Sequence, residues 1–228
     1  AHLEAFGTLE AVFQGLSELV RASGPSTRIA FNLDDPWLAG LEDSLGDRGI
    51  PFGRAERAAV RLLDEEAAGA TVSLLVKRHK VAARLPMGGR VHRLTAAAAA
   101  AGAVGMGLGP GAVARGLEAY QPAPLRFETR KHPSGAVIVV DAYNANPGSM
   151  RAAVETFLEA FPSGRRILAL GDMKELGPES ARLHRELGEW LAERPVEAVF
   201  MAGPEMAAAA ESLKTASPVP ADGAPRAA

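Results

Sequence analysis

The spacing of apolar positions divides the first half of the chain into short helices and strands. A period of 3.6 residues predicts an amphipathic helix over residues 8–22, because residues three and four apart share one helix face. A short apolar run predicts a strand over residues 28–31, and alternation over residues 71–77 and 81–85 predicts a hairpin. Further helices are predicted over residues 37–45, 95–106 and 110–120.

The second half of the chain combines strands with helices. The turn residues 132–135 predict flanking strands over residues 127–131 and 136–140, and short apolar runs predict strands over residues 167–170 and 198–201. Helical patterns cover residues 149–161, 178–193 and 205–214. Strands that alternate with helices are typical of a parallel, Rossmann-like sheet. The predicted fold class is therefore α/β, with a mainly parallel sheet in the second half.

A proline-rich segment separates the two halves. Pro122 and Pro124 each disfavour a helical conformation in the preceding residue, so Gln121–Pro124 is predicted to be a stiff linker. We therefore expect one domain over residues 1–123 and a second over residues 124–214. Residues 215–228 are rich in Pro and Ala without a regular apolar period, and we expect them to be disordered.

Composition narrows the classes of function. A net charge of −2 and an aromatic fraction of 5% argue against nucleic-acid binding, which requires a basic surface and stacking rings. The absence of cysteine excludes disulfides and thiolate metal sites and fits a reducing cytoplasm. No run reaches the roughly 20 apolar residues of a membrane span. The chain starts at Ala1 without a signal-peptide pattern, and we expect it to be part of a longer protein.

Candidate chemistry concentrates at residues 141–150. This segment reads Asp-Ala-Tyr-Asn-Ala-Asn-Pro-Gly-Ser-Met and joins the strand over residues 136–140 to an Ala-rich helix. Open α/β sheets bind ligands at the carboxyl ends of their strands, so Asp141, Asn144 and Asn146 are candidate site residues. Each also has a structural interpretation, because Asp and Asn cap helices and stabilise turns.

Several segments resemble the Mur ligases, the ATP-dependent amide ligases of peptidoglycan synthesis. The decapeptide at residues 141–150 resembles the family's Asp-x-Tyr-Asn-Ala-Asn-Pro-x-Ser-Met signature. Residues 1–7, 32–37 and 171–177 resemble further family segments in the same order, and Leu125–Glu128 resembles the entry to the family's C-terminal domain. The resemblance implies that residues 1–123 are the carboxyl-terminal part of a central ATP-binding domain, followed by a Rossmann-like C-terminal domain.

The resemblance also implies an activity and its ligands. The branch that this chain resembles adds D-alanyl-D-alanine to UDP-N-acetylmuramoyl-tripeptide. In that reaction ATP phosphorylates the carboxylate of the peptide, and the amine of the dipeptide then displaces phosphate from the acyl phosphate. The implied cofactors are ATP and Mg²⁺, the implied partners are the two substrates, and the implied location is the bacterial cytoplasm. Nothing in the pattern indicates an oligomeric state.

The resemblance assigns roles to individual residues. Arg126 would contact the nucleotide phosphates and Asp141 the ribose hydroxyls, while Asn144 and Asn146 would orient the dipeptide or the acyl phosphate. His92 falls in the adenine-binding segment, and His2 would be a ligand of Mg²⁺. The structural alternatives are a surface salt bridge from Arg126 to Glu128 or Asp141, and a solvated His2.

The chain departs from the family pattern at several positions. It contains no Gly-x-x-x-x-Gly-Lys-Ser/Thr phosphate loop. Leu16 stands where the family has a carbamylated lysine that bridges Mg²⁺, and His92 and Thr95 stand where two asparagines hold the adenine. We therefore expect this chain alone to be inactive as a ligase. The alternative is a non-catalytic Mur-ligase-like protein that binds a nucleotide or a partner.

Two further residues suggest an acid–base pair. Asp172 lies in the Gly-Asp-Met-Lys-Glu-Leu-Gly segment, and His184 follows in a predicted amphipathic helix. For His184 we favour a structural role, in which the ring is buried and both ring nitrogens form hydrogen bonds. For Asp172, bracing its loop is as good an interpretation as an acid–base role. We also expect the helices over residues 8–22 and 95–106 to leave apolar surface exposed.

Overall fold

The computed structural model describes residues 3–63 and 70–215. Two compact units are present: one is Phe13–Pro122, and the other combines Ala1–Val12 with the chain from Ala123 onward. His2 and residues 216–228 of the predicted tail lie outside the described residues. Each unit is described separately below.

The elements of both units follow the chain in this order. The helices are α1 Leu3–Phe6, α2 Leu9–Ala22, α3 Pro36–Ala39, α4 Glu42–Leu45, α5 Arg90–Gly105, α6 Pro110–Glu118, α7 Pro147–Ala160, α8 Ser180–Ala192 and α9 Met206–Thr215. The strands are β1 Ile29–Asn32, β2 Gly49–Gly53, β3 Val60–Leu62, β4 Thr71–Val76, β5 His79–Arg84, β6 Glu128–Lys131, β7 Val137–Val140, β8 Ile167–Gly171 and β9 Ala198–Ala202.

The unit Phe13–Pro122 contains a mixed five-stranded sheet in the order β1-β2-β3-β4-β5. The first three strands run parallel, whereas β4 and β5 form the predicted antiparallel hairpin. The core of this unit includes Val60, Val72, Leu74 and Val76, all fully buried. The alanines of α5 belong to the same core, because their small side chains let the helix pack closely on the sheet.

The other unit is built from two separate strand pairs and three long helices. β6 and β7 form an antiparallel hairpin, and β8 and β9 pair in parallel from Ile167↔Ala198 to Gly171↔Ala202. Helices α8 and α9 pack closely at Gly188, where a Cβ would collide with the carbonyl oxygen of Ala209. A buried cluster that includes Met173, Leu187 and Met206 fills the space between these elements.

The predicted α/β class with parallel strands is confirmed, but several details differ. The predicted helix over residues 37–45 is divided into α3 and α4, which are separated at Gly40. Strand β2 was not predicted, because its sequence Gly-Ile-Pro-Phe-Gly contains residues that are depleted in strands. Exposed apolar surface is present on α2 at Leu9, Leu16 and Leu19. Helix α5 instead buries most of its apolar face, since Ala96, Ala97, Ala100 and Ala101 all lie in the core.

We predict that Gly188→Ala destabilises the protein by about 2 kcal/mol, because overpacking a close helix contact displaces the helices. The matched control is Gly102→Ala in α5, where no atom lies within 4 Å of the added Cβ. That control should be neutral or stabilising by up to about 1 kcal/mol. Thermal unfolding followed by circular dichroism measures both variants, and equal stability of the two would contradict the packing described for α8 and α9.

Candidate functional site

A loop joins strand β7 to helix α7 and carries three of the predicted site residues, Asp141, Asn144 and Asn146. Its first residue, Asp141, follows Val140 directly and is exposed. The Asp141 carboxylate accepts a hydrogen bond from the Phe127 N–H at 3.3 Å, and the Ala142 N–H donates to the Leu125 carbonyl at 3.0 Å. The loop is therefore tied to the segment that enters strand β6.

Arg126 lies at this junction with a defined orientation. Its guanidinium is stacked over the Tyr143 ring, 3.9 Å from the ring centroid, and both residues are exposed. Leu125 and Phe127 flank Arg126 with φ values of +62° and +52°, a left-handed conformation that is uncommon for residues other than glycine. The predicted alternative of an ion pair from Arg126 to Glu128 is not observed, because the Glu128 carboxylate pairs with Arg130 at 2.8 Å.

The two asparagines of the loop have different environments. Asn146 is the N-cap of α7: its side chain accepts from the Ser149 N–H at 2.9 Å, and the Ser149 hydroxyl accepts from the Asn146 N–H at 3.0 Å. Pro147 at the first helical position adds to this capping box. Asn144 is exposed, and its side-chain oxygen accepts from the N–H of the next residue at 2.8 Å. Asn144 is therefore the better placed of the two to contact a ligand.

Asp172 is held in a second group of polar residues, at the carboxyl end of strand β8. Its side chain is 4% exposed and accepts from Lys174 Nζ at 3.0 Å and from the Met206 N–H at the start of α9 at 2.9 Å. Gly203 has a φ of +115°, and a Cβ there would collide with the Asp172 carboxylate. Asp172 therefore joins the end of β8 to the first turn of α9.

The pKa of Asp172 follows from these contacts. Burial alone would raise the pKa of the carboxyl, but the hydrogen bonds from Lys174 and the Met206 N–H, with the charge of Lys174, outweigh burial. The pKa therefore lies below its usual value, and the carboxylate is ionised at neutral pH.

His184 has a structural role in this group. It is fully buried, its Nε2 accepts from the Met173 N–H at 3.1 Å, and its Nδ1 donates to the Ser180 carbonyl at 2.8 Å. These partners require a neutral ring protonated at Nδ1. Asp172 and His184 therefore brace one loop and form no acid–base pair with each other.

The unit Phe13–Pro122 contains a mainly apolar cavity of about 300 Å³ next to α5 and α6. His92 and Thr95 of α5 line it together with Met87, Leu108 and Tyr120. The Thr95 hydroxyl donates to the Val91 carbonyl at 3.0 Å. This volume is at the lower end of the range for small-molecule pockets.

The structure brings together some of the predicted site residues. Arg126, Asp141 and Asn144 lie where the loop after β7 meets the segment that enters β6. Tyr143 lies there too, although no role was predicted for it from the sequence. The signal for Tyr143 was its place inside the family decapeptide, two residues after Asp141.

Across residues 3–63 and 70–215, no three His, Cys, Asp or Glu side chains cluster as a metal site would require. No described helix is long and apolar enough to cross a membrane.

Comparisons with known proteins find that this chain is similar to Mur ligases. Residues 125–225 match the family model for the Mur ligase, glutamate ligase domain. The chain is 26% identical over 203 residues to the UDP-N-acetylmuramoyl-tripeptide–D-alanyl-D-alanine ligase of Bacillus subtilis, covering 89% of this chain and 44% of that protein. A crystal structure of MurF from Acinetobacter baumannii superimposes with a TM-score of 0.84 at 29% identity, over 93% of this chain and 46% of the other.

Residues 125–225 belong to the Mur ligase C-terminal domain family. A second solved relative, the MurF ligase of Thermotoga maritima in complex with ADP, has a TM-score of 0.77 at 26% identity, over 91% of this chain and 48% of the other. The chain therefore spans about half the length of the relatives that it matches. The match includes both compact units, so the resemblance extends well beyond the decapeptide.

We predict that the two asparagines respond differently to truncation. Asn146→Ala should destabilise the protein by about 1 kcal/mol, because it removes an N-cap. Asn144→Ala, the matched control, should change stability by less than about 0.5 kcal/mol, as exposed substitutions usually do. Urea unfolding measures both values, and equal losses would show that the capping box does not stabilise α7.

We predict that Asp172 makes stability depend on pH in the acid range. A lowered pKa in the folded state contributes stability above the unfolded value, here 3.8, and this contribution is lost as pH falls through the folded pKa. Asp172→Asn should therefore cost about 1 kcal/mol at pH 7, and the difference from wild type should shrink below pH 3.8.

Urea unfolding at several pH values tests this prediction, with Lys174→Met as the companion variant. Lys174→Met should destabilise the wild type more than it destabilises the Asp172→Asn variant. In that variant a neutral amide has already replaced the carboxylate that pairs with Lys174. A difference between wild type and Asp172→Asn that stays constant from pH 7 into the acid range would contradict the account.

Proposed function

We propose that this chain supplies part of an ATP-dependent ligase that joins D-alanyl-D-alanine to UDP-N-acetylmuramoyl-tripeptide in bacterial peptidoglycan synthesis. The observation that carries the proposal is the similarity to MurF over 93% of the chain, with the family decapeptide at the carboxyl end of strand β7. A cytoplasmic location accompanies the proposal, since cytoplasmic nucleotide pools supply such a reaction.

The junction around Arg126 suits a nucleotide phosphate. The guanidinium is exposed, and its stacking on Tyr143 at 3.9 Å limits the side-chain freedom that would be lost on binding. Asp141 keeps a carboxylate oxygen beyond the one that accepts from Phe127, and that oxygen would accept hydrogen bonds from ribose hydroxyls. Asn144 would donate its amide protons to the dipeptide or to the acyl phosphate.

The cavity in the unit Phe13–Pro122 suits an adenine ring. It is lined by His92 and Thr95 and has mainly apolar walls, and an adenine ring would bury its faces there. The MurF relative from Thermotoga maritima was crystallised with ADP, which supports an adenine nucleotide as the ligand. ATP, when bound, would supply the phosphoryl group that activates the substrate carboxylate.

The described residues do not fit a complete site for the triphosphate and its metal. The chain has no phosphate loop, and its described part has no cluster of three metal-ligating side chains. In the unit that contains β7 and α7, this chain would bind the nucleotide at Arg126 and Asp141 and orient the amine at Asn144. In the unit Phe13–Pro122, His92 would contact an adenine ring.

A second candidate function is a non-catalytic Mur-ligase-like protein that binds a nucleotide or a partner. The observation that favours it is Leu16, which is 70% exposed and offers no charge where the resemblance places a metal-bridging lysine. If this chain, fused to the unmatched part of Acinetobacter baumannii MurF, binds ATP but releases no phosphate with or without Leu16→Lys, that result would establish this second function.

We predict that the isolated chain releases no phosphate from ATP above a no-protein control. Each lost pre-organised donor in a site for charge transfer costs about 10²–10³ in rate, and the whole phosphate loop is missing from this sequence. The assay contains ATP, Mg²⁺, UDP-N-acetylmuramoyl-tripeptide and D-alanyl-D-alanine. Turnover that depends on both peptide substrates would contradict the prediction.

The ligase proposal is tested in a joined protein, in which the part of Acinetobacter baumannii MurF without a counterpart here is fused to this chain. In the joined protein that also carries Leu16→Lys, we predict phosphate release that requires both peptide substrates, and a further Arg126→Ala substitution should lower this rate about 10²-fold. The matched control is Arg130→Ala, an exposed arginine that pairs with Glu128, and it should retain activity. Equal rates for the two variants would exclude the proposed role of Arg126.

A further inference from the structure

The turn between β4 and β5 carries four basic residues in succession. Residues 77–80 read Lys-Arg-His-Lys, and all four are exposed. The surrounding segment over residues 67–117 contains seven Lys and Arg residues and no Asp or Glu. Its net charge is therefore +7 in a chain whose net charge is −2, which leaves −9 for the remainder. Positive charge is thus concentrated in the part of the chain that contains this turn.

The two central residues of the turn are cations in a conformation that favours other residues. Val76 pairs with His79 across a two-residue turn, in which Lys77 and Arg78 have φ values of +47° and +68°. A positive φ at both positions is typical of a type I′ turn, which favours Asn-Gly because most other residues are strained there. The His79 ring donates from Nδ1 to the Lys77 carbonyl at 2.9 Å and helps to hold the turn. Backbone strain of this kind is concentrated at functional sites.

Protection of a sheet edge explains only some of these cations. Strand β5 is the last strand of the described sheet, and charged side chains on an edge strand prevent pairing with other chains. Lys80 and Arg84 lie on the exposed face of β5 and serve this purpose. Lys77 and Arg78 lie in the turn, outside the paired residues. Within residues 3–63 and 70–215, neither of them forms an ion pair with a carboxylate. Neither edge protection nor an internal ion pair therefore accounts for the two turn cations.

We propose that residues 77–80, here called the basic tip, bind the surface of a bilayer that contains anionic lipids. Each Lys or Arg close to such a surface strengthens partitioning about fivefold. The hairpin that carries the basic tip is anchored by Val72, Leu74 and Val76, which are fully buried, so little conformational freedom is lost on binding. Negative charge more than about 10 Å from the bilayer is screened at physiological salt. The proposal goes beyond the ligase reaction and does not depend on it.

The composition of the hairpin favours a bilayer over other anionic partners. A two-stranded ribbon fits the major groove of DNA between two phosphate backbones, whereas β4 contains no charged residue to contact one of them. A protein interface has an apolar core with large anchoring side chains, and residues 77–80 include no apolar side chain.

The shape of the basic tip also favours a surface over a single small anion. Protein groups that bind one phosphate surround it in a concave site. The basic tip is the end of a two-stranded hairpin, and its residues do not line the described cavity. A layer of lipid phosphates, in contrast, is contacted from one side by a projecting turn.

The test measures how much of the full 228-residue chain sediments with lipid vesicles. One set of vesicles contains phosphatidylglycerol and phosphatidylcholine in equal parts, and the other contains phosphatidylcholine alone. The main variant combines Lys77→Asn with Arg78→Gly, which removes both turn cations and introduces the pair that a type I′ turn prefers. The matched control combines Lys131→Asn with Arg185→Gln, which removes two exposed cations from the other unit.

We expect the wild-type chain to sediment with the phosphatidylglycerol vesicles and not with the neutral ones. The turn variant should bind about 25-fold more weakly, because two cations are lost, and the control should stay within about twofold of wild type. Exchange of the two cations, Lys77→Arg with Arg78→Lys, should preserve binding. Thermal unfolding should show that the turn variant is at least as stable as wild type, so that unfolding cannot explain its weaker binding.

Several results would overturn the proposal. Equal sedimentation with both kinds of vesicle, or with neither, would exclude an anionic bilayer as the partner. Equal weakening in the turn variant and the control would assign binding to net charge and not to the basic tip. Tighter binding to a DNA duplex than to vesicles, lost in the turn variant, would assign the tip to nucleic acid. Release from the vesicles by inorganic phosphate at constant ionic strength would make the tip a site for a single anion. None of these measurements uses ATP or a peptide substrate, so their outcome is separate from that of the ligase assay.

Discussion

The geometry of the candidate site depends on the backbone around Arg126. Leu125 and Phe127 both adopt left-handed conformations, and each such residue costs on the order of 1 kcal/mol or more. The Asp141 carboxylate and the Ala142 N–H bind this segment on either side of Arg126. Strained conformations persist where the surrounding structure holds them and are concentrated at functional sites. Here the held conformation directs the guanidinium over Tyr143.

Two aspartates at the ends of successive strands have opposite roles. Asp141 follows β7 and is exposed beside Arg126, whereas Asp172 follows β8, is almost fully buried and holds the first turn of α9. The difference arises from the structural element that faces the aspartate at the end of each strand. Asp141 faces a loop that enters a hairpin, while Asp172 faces an N-terminus whose N–H groups favour a negative charge. One carboxylate is thus available to a ligand and the other stabilises the unit.

The strand–loop–helix unit from β7 to α7 could be predicted from the sequence because its signals are local. A β-branched run, a polar turn and a proline at the first helical position are each read from neighbouring residues. The family decapeptide, together with these signals, predicts a site at this loop, and that site stays a prediction. The different environments of Asn144 and Asn146 could not be predicted, because they depend on which side chain reaches the Ser149 N–H.

Other features required the folded chain. Strand β2 contains two glycines and a proline, and it is a strand because β1 and β3 pair with it from distant parts of the sequence. The period of α2 predicted an apolar stripe but did not show which half of it is covered. The stacking of Arg126 on Tyr143 likewise depends on a contact across a turn. Local patterns therefore predict where many of the helices and strands lie. Their pairing, their burial and the contacts between their side chains depend on residues that are further apart in the sequence.

The central claim is that the loop from Asp141 to Asn146 binds ligands of a Mur ligase. The most direct measurement is two-dimensional NMR of the isotopically labelled chain, with ADP and D-alanyl-D-alanine added in turn at millimolar concentration. The account predicts shifts in the backbone amides of residues 142–145 and of Arg126, with smaller changes at Met206 beside the buried Asp172. Unchanged amides throughout residues 125–146 with both ligands would contradict it.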